Sequence, residues 1–453
     1  MNPFPNKEEH PSQSKGIQRG AWQISKLALP MILGQVGQMT MGIADTIVAG
    51  RVNTDALAGF GLGSIILWQT VMILLGVLLA LDTFFSQSVG AKDDVSLRHW
   101  LSQSTWMAGA FSIVSMLLLG IANISYASFA PETEANRQFS IYLVNALWSI
   151  PAIFGFFILQ RYWHARNRVI FLAIATVAAN GVNIIVNLAL GLGWWGFPEL
   201  GTQGIAFATV FSRWAMFIAA LIYTASLLTP KSWSWERPQW KAQRAILKLG
   251  LPAGGQALAE IGVFTIASVI CGFLGTVPLA SHHICLTMAA FTYMFSHGIA
   301  SAAAVRVGQA IGANDCQLAY RSGTIALWMA GIIMSLFSVT YLLFPRQIAA
   351  VFTSDPSVIN LTTSLFLIVA IFQIGDGLQV TAAGALRGKG NTRSAMIANT
   401  IGHFLIGFPI SLFCAFALGW NVLGLWIGLA SGLISVAFFV VRIWLRNPDS
   451  TRV

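Results

Sequence analysis

The chain has 453 residues, of which 56% are hydrophobic and only 9% charged, where a soluble domain carries roughly 25% charged residues. That excludes a soluble globular domain and implies an integral membrane protein. The formal net charge of +10 raises nucleic acid as a partner, but the placement of the charge excludes it.

A spanning helix needs about 20 mostly apolar residues. Twelve such segments are expected, at 26–50, 58–82, 102–123, 139–160, 169–193, 203–229, 248–273, 279–304, 323–345, 360–384, 396–418 and 422–445. The connections are too short to hide a soluble domain. The expected organisation is a tail (1–25), a six-helix lobe (26–229), a linker (230–247), a second six-helix lobe (248–445) and a tail (446–453). The first twenty residues are polar and carry no basic-then-apolar run with a small-residue cleavage site, so the first helix is expected to act as the insertion signal. With the amino terminus inside, the inner segments hold 22 of the 26 Lys and Arg. This positive-inside bias puts both termini in the cytoplasm of a cell (inner or plasma) membrane and accounts for the charge without an anionic partner.

The first helix, "LALPMILGQVGQMTMGIADTIVAG", carries Pro30 near one end and Asp45 near the other. Pro30 reads either as simple entry geometry or as a point where the helix bends. A carboxylate in hydrocarbon is costly unless it meets a partner, water or an ion, so Asp45 is a candidate functional residue. Asp82, at the inner end of the second helix, reads as a solvated residue or a weaker candidate. In the fifth helix Asn183 and Asn187 are four apart and share a face. Thr209 of the sixth joins them as a possible polar cluster for Asp45, the alternative being ordinary interhelical hydrogen bonds. Arg213 is the only basic residue placed well inside a span.

After the prolines and basic residues of the linker the pattern repeats. At a constant offset of 222, Leu29-Pro30 matches Leu251-Pro252, and "SQSVGAKD" (86–93) matches "GQAIGAND" (308–315). Gly204 and Gly424 also sit comparably before the last helix of each half. Six helices separate equivalent points, so the repeats run parallel, and two lobes flanking a cleft suit alternating access. The seventh helix carries Glu260 and the tenth Asp376. Two carboxylates converging with carbonyls would suit a small hard cation; singly, each could carry a proton. His282 and His283 open the eighth helix, and His283 is a possible proton relay; His297 and His403 lie in spans. Cys271, Cys285, Cys316 and Cys414 lack metal-ligand spacing and read as small hydrophobes. No P-loop, nucleophile elbow or zincin helix is visible. An intramembrane enzyme would need such a motif, and energy is expected from an ion gradient.

"MGIADTIVAGRV", "LDTFFSQSVGA", "AAAVRVGQAIGA" and "FQIGDGLQVTAAGALRGKGNT" together resemble the multidrug and toxic compound extrusion (MATE) transporters over about residues 22–445. The presence of both Glu260 and Asp376 is similar to the NorM-like branch, not the DinF-like one. The resemblance implies an all-α polytopic protein with twelve transmembrane helices in two pseudo-symmetric lobes around a central cleft. It implies a secondary antiporter, not an enzyme, exporting organic, cationic, amphiphilic drugs in exchange for H⁺ or Na⁺, with no cofactor. It also implies a second-lobe cation site at Glu260 and Asp376, with Na⁺ a possible ion. Phe372 stands where relatives often have tyrosine, which keeps a ring but loses a hydroxyl. His282-His283 stands where a His-Gln pair is common. Asp45, Asn183, Asn187 and Thr209 resemble a first-lobe proton-linked cluster. A monomer with only small molecules and lipid as partners is expected. The alternative within the superfamily, a lipid-linked oligosaccharide flippase, would line its cavity with cations, which are scarce in these spans.

Overall fold

A computed structural model describes residues 13–129, 131–228 and 236–446. The outer parts of both tails, with Lys7 and Arg452, and linker residues 229–235, with Lys231, lie outside the described residues. Among the described residues there are twelve helices long and apolar enough to cross a membrane and no strand. They are α1 (Gln18–Val52), α2 (Thr54–Gly90), α3 (Asp94–Tyr126), α4 (Glu134–Ala165), α5 (Ile170–Gly191), α6 (Thr202–Leu227), α7 (Trp240–Leu274), α8 (Thr276–Gly312), α9 (Cys316–Leu343), α10 (Pro356–Gly388), α11 (Thr392–Ala417) and α12 (Asn421–Arg446). A short helix, Pro345–Phe352, joins α9 to α10.

Most of these helices outrun their apolar segments. The apolar run marks only the hydrocarbon-facing part, and helix-forming polar turns continue it. Helix α7 accordingly begins inside the expected linker 230–247. The segment "WKAQRAILK" is already helical from Trp240, directly after the extended Gln239, because it holds good helix formers. For the same reason α2 passes Asp82 and runs to Gly90, with a tightened turn at Leu79–Ala80.

The repeat is legible in the backbone. The turns after α2 and α8 place Lys92 and Asn314, 222 residues apart, at φ 56° and 59°. Asparagine takes this left-handed region readily and lysine at some cost, so the geometry belongs to the turn and not to the residue. Both α5 and α11 widen into i→i+5 turns, at Asn187–Gly191 and at Ile401–Gly407 and Phe413–Ala417. A Cβ on Gly204 would overlap the Leu190 backbone, and one on Gly424 would overlap that of Cys414, so each lobe packs its last helix closely on its fifth.

The lobes have separate cores. One cluster runs from Met41 through Phe85 and Tyr162 to Ala220. Another gathers Val263, Phe372, Trp426 and Leu433. A third crosses between lobes and joins Ile24–Ile32 of α1 to Ile299–Ala303 of α8 and Ile325–Ala330 of α9. Conversely Ile246, near the start of α7, belongs to the first lobe's core. The first turns of each lobe's opening helix thus pack against the opposite lobe, and Pro30 and Pro252 lie close to where each helix returns to its own. Both helices continue through their prolines.

These cross-lobe contacts lie toward the end bearing the turns at 91–93 and 313–315. There Gly76 meets Gly254, Gly250 meets the Val77 carbonyl, and Gly298 meets Ile32. Gly90 meets the carbonyl of Gln309 while Gly312 meets that of Gln87, a reciprocal pair at the repeat offset. Only glycine permits backbones this close.

Candidate functional site

In the first lobe, α1 brings Asp45 against α5 and α6. Asn187 Nδ2 donates to Asp45 Oδ1 at 2.6 Å and to Asn183 Oδ1 at 3.1 Å. Thr209 Oγ1 donates to Asp45 Oδ2 at 3.1 Å. All four residues are buried, Asp45 being only 4% exposed. Asn187 opens the widened turn of α5, and α6 carries Thr209 one turn before Arg213. Arg213 is buried too, but its guanidinium lies 4.6 Å from the Trp68 ring centroid, and among the described residues it makes no ion pair. Asn180, which sequence reasoning passed over, donates from Nδ2 to the Gly37 carbonyl at 2.7 Å and ties α5 to α1. Its signal was the spacing Asn180, Asn183, Asn187, which puts three amides on one helical stripe.

In the second lobe, Glu260 of α7 and Asp376 of α10 lie within electrostatic reach of each other. Gln379, one turn inward of Asp376, donates from Nε2 to Glu260 Oε1 at 3.4 Å. Its own Oε1 is buried and has no hydrogen-bond partner. Tyr293 of α8 has its ring centroid 5.7 Å from that of His297. Neither Gln379 nor Tyr293 was singled out from the sequence, though Gln379 sits three residues after Asp376.

One turn along α7 and α10 from the acids, Phe264 and Phe372 meet edge to face at 6.0 Å. Phe372 also meets Trp426 at 5.7 Å, and Trp426 lies 5.6 Å from His282. His282 Nε2 and Ser268 Oγ are 2.9 Å apart. An aromatic cluster thus lies one helical turn from the second-lobe acids, with Phe372 buried in it.

Two placements differ from expectation, those of Asp82 and of the buried basic residues. His283 is exposed; the buried ring, bonded to Ser268, is that of His282, because consecutive helical residues point about 100° apart. Asp82 is not solvated but 1% exposed and ion-paired to Arg161 and Arg387. Those two arginines, counted in inner segments, are buried, so Arg213 is not the only basic residue inside the bundle. Pro30 lies within α1, between Asp45 and the turns that pack on the second lobe. Among the described residues no group of three or more His, Cys, Asp or Glu is placed to hold a metal ion.

The chain matches the MatE family model twice, over residues 30–189 and 252–413. The chain belongs to the MATE family. The two matches begin at Pro30 and Pro252, at the offset of the internal repeat. The MATE chain is 30% identical over 435 residues to "Probable multidrug resistance protein NorM" of Mesorhizobium japonicum, covering 93% of this chain and 92% of that one. It is 32% identical over 427 residues to the protein of the same name from Bradyrhizobium diazoefficiens, covering 92% and 91%. Its fold is that of the eukaryotic MATE transporter AtDTX14, with a TM-score of 0.84 at 20% identity over 96% of this chain and 99% of that one. Against the bent form of the Vibrio cholerae MATE transporter VcmN the TM-score is 0.85 at 17% identity, covering 96% and 99%. The protein is thus a multi-pass MATE transporter of the NorM-like branch, and not an enzyme.

Proposed function

We propose that this MATE protein is a multidrug efflux antiporter of the cell membrane, exporting amphiphilic organic cations in exchange for H⁺ or Na⁺. The observation that supports this most is the separation of two acidic sites, one in each lobe, in lobes that pack together at one end. Asp45 accepts hydrogen bonds from Asn187 and Thr209. In this reading it takes a proton or meets cationic cargo. Glu260 and Asp376 take the coupling ion, and the unpaired Gln379 Oε1 adds a neutral oxygen, a donor set suited to a hard cation such as Na⁺. Coupling requires ion and cargo to favour opposite arrangements of the lobes, since a ligand that binds both equally shifts nothing. The basic end faces the cytoplasm in this reading.

The cargo assignment is tested in bacterial cells lacking their own efflux pumps. Expression of the protein is expected to lower accumulation of a fluorescent aromatic cation and to leave an anionic dye unaffected. Equal exclusion of both dyes, or of neither, would refute it.

A further inference from the structure

Among the described residues Asp82 is the one buried carboxylate that the transport reading leaves unused. It sits on α2 of the first lobe, as Arg161 sits on α4. Arg161 Nη1 donates to Asp82 Oδ1 at 3.3 Å and to Oδ2 at 3.4 Å. Arg387, at the end of α10 in the second lobe, donates from Nε to Asp82 Oδ2 at 3.1 Å. The three residues are 1%, 2% and 8% exposed. Arg161 is also stacked at 4.4 Å from the Phe157 ring centroid, within its own helix.

We propose that Asp82, Arg161 and Arg387 form a latch that holds the lobes together at the basic end, with Arg387 the member that lets go when they part. Asp82 has one partner in its own lobe and one in the other. When the lobes separate it keeps Arg161, so no buried carboxylate is stranded, the usual penalty of breaking a buried ion pair. Arg387, one residue from the end of α10, then reaches water along its flexible stem.

Neutral contacts surround the triad in the same sense. Thr83 Oγ1 donates to the Arg387 carbonyl at 2.5 Å, and Gln87 Nε2 to the Gly388 carbonyl at 3.1 Å. The repeat-equivalent Gln309 donates from Nε2 to the Ala165 carbonyl at 2.8 Å. Each lobe therefore presents a glutamine to the backbone at the end of a helix in the other. Asp82, Arg161 and Arg387 are positioning residues: they bind no cargo in this account. The latch does not depend on which ion drives transport.

The test is a distance measurement on the full chain. Cys271, Cys285, Cys316 and Cys414 are replaced by serine. Spin labels are placed at Val95→Cys and Gln317→Cys, exposed positions 222 residues apart at the starts of α3 and α9. Pulsed dipolar spectroscopy in lipid nanodiscs is expected to give one short distance for the otherwise wild-type protein. Arg387→Gln is expected to add a longer-distance population. Arg387→Lys, which keeps the charge, and Arg161→Gln, which keeps the cross-lobe pair, are expected to leave the short distance dominant. A wild-type distribution in Arg387→Gln, or equal opening in Arg161→Gln, would overturn the proposal. If Arg387→Gln does not elute as a folded species, Asp82→Asn, which removes the charge that holds Arg387 and keeps the shape, takes its place. That variant must show the longer population, and its absence would equally overturn the latch.

Discussion

Asp45 depends on its neighbours in a way that substitution can separate. Asp45→Asn keeps the shape and a group able to bond Thr209, so the protein should fold while losing gradient-driven export. Asn187→Ala removes a donor held at 2.6 Å. A hydrogen bond to a charged group contributes about 1.5–3 kcal/mol, so export should fall roughly tenfold or more if Asp45 is the coupling or cargo group. Asn180→Ala is the companion, since it breaks the tie to Gly37 without touching Asp45. It should cost about 1 kcal/mol of stability in a thermal-unfolding assay and leave coupling intact. Equal transport loss in both variants would mean that the asparagine stripe is scaffold. The sequence displayed the acids because a carboxylate in an apolar run is conspicuous. It hid Gln379, Tyr293 and Asn180, because neutral polar residues in helices most often serve packing, and only the fold tells which of them meet an acid and which, like Asn180, tie one helix to another. Asp82 was misjudged for a related reason: its two partners lie 79 and 305 residues away.

At the scale of helices, the contact between the turns after α2 and α8 is steric as well as polar. Gly90→Ala would press a methyl group into the Gln309 carbonyl and Gly312→Ala would do the same to Gln87. Each should destabilise the observed arrangement by about 1–3 kcal/mol, the usual cost of overpacking. Gly109, within α3, has nothing within 4 Å of such a methyl. Gly109→Ala should therefore match or slightly exceed wild-type stability, as alanine does in exposed helix interiors. Thermal unfolding in detergent compares the three, and indistinguishable midpoints would contradict the close approach. The twelve spans were visible because their apolar runs are long. Their polar extensions, such as Trp240–Lys248, were not, because hydropathy reports the bilayer and not the helix. The matched motifs at 86–93 and 308–315 marked a repeat, but nothing in one chain says that repeat-equivalent turns touch each other.

For the whole molecule, the lobes are joined where basic residues concentrate, through the Ile24–Ala330 cluster, the reciprocal glycines and the Asp82 triad. In the proposed topology, which follows the charge bias, that end faces the cytoplasm. A membrane-impermeant thiol reagent applied to intact cells should therefore label a cysteine placed at Trp195, in the opposite loop, and spare one at Val95. The reverse pattern would invert the topology. Coupling itself is tested most directly by efflux of a fluorescent cation from proteoliposomes under separately imposed pH and Na⁺ gradients. The wild type is compared with Asp45→Asn, Glu260→Gln and Asp376→Asn. The wild type should respond to at least one gradient and each carboxylate variant should lose that response. Normal coupling in all three variants, or a wild type indifferent to both gradients, would contradict the account.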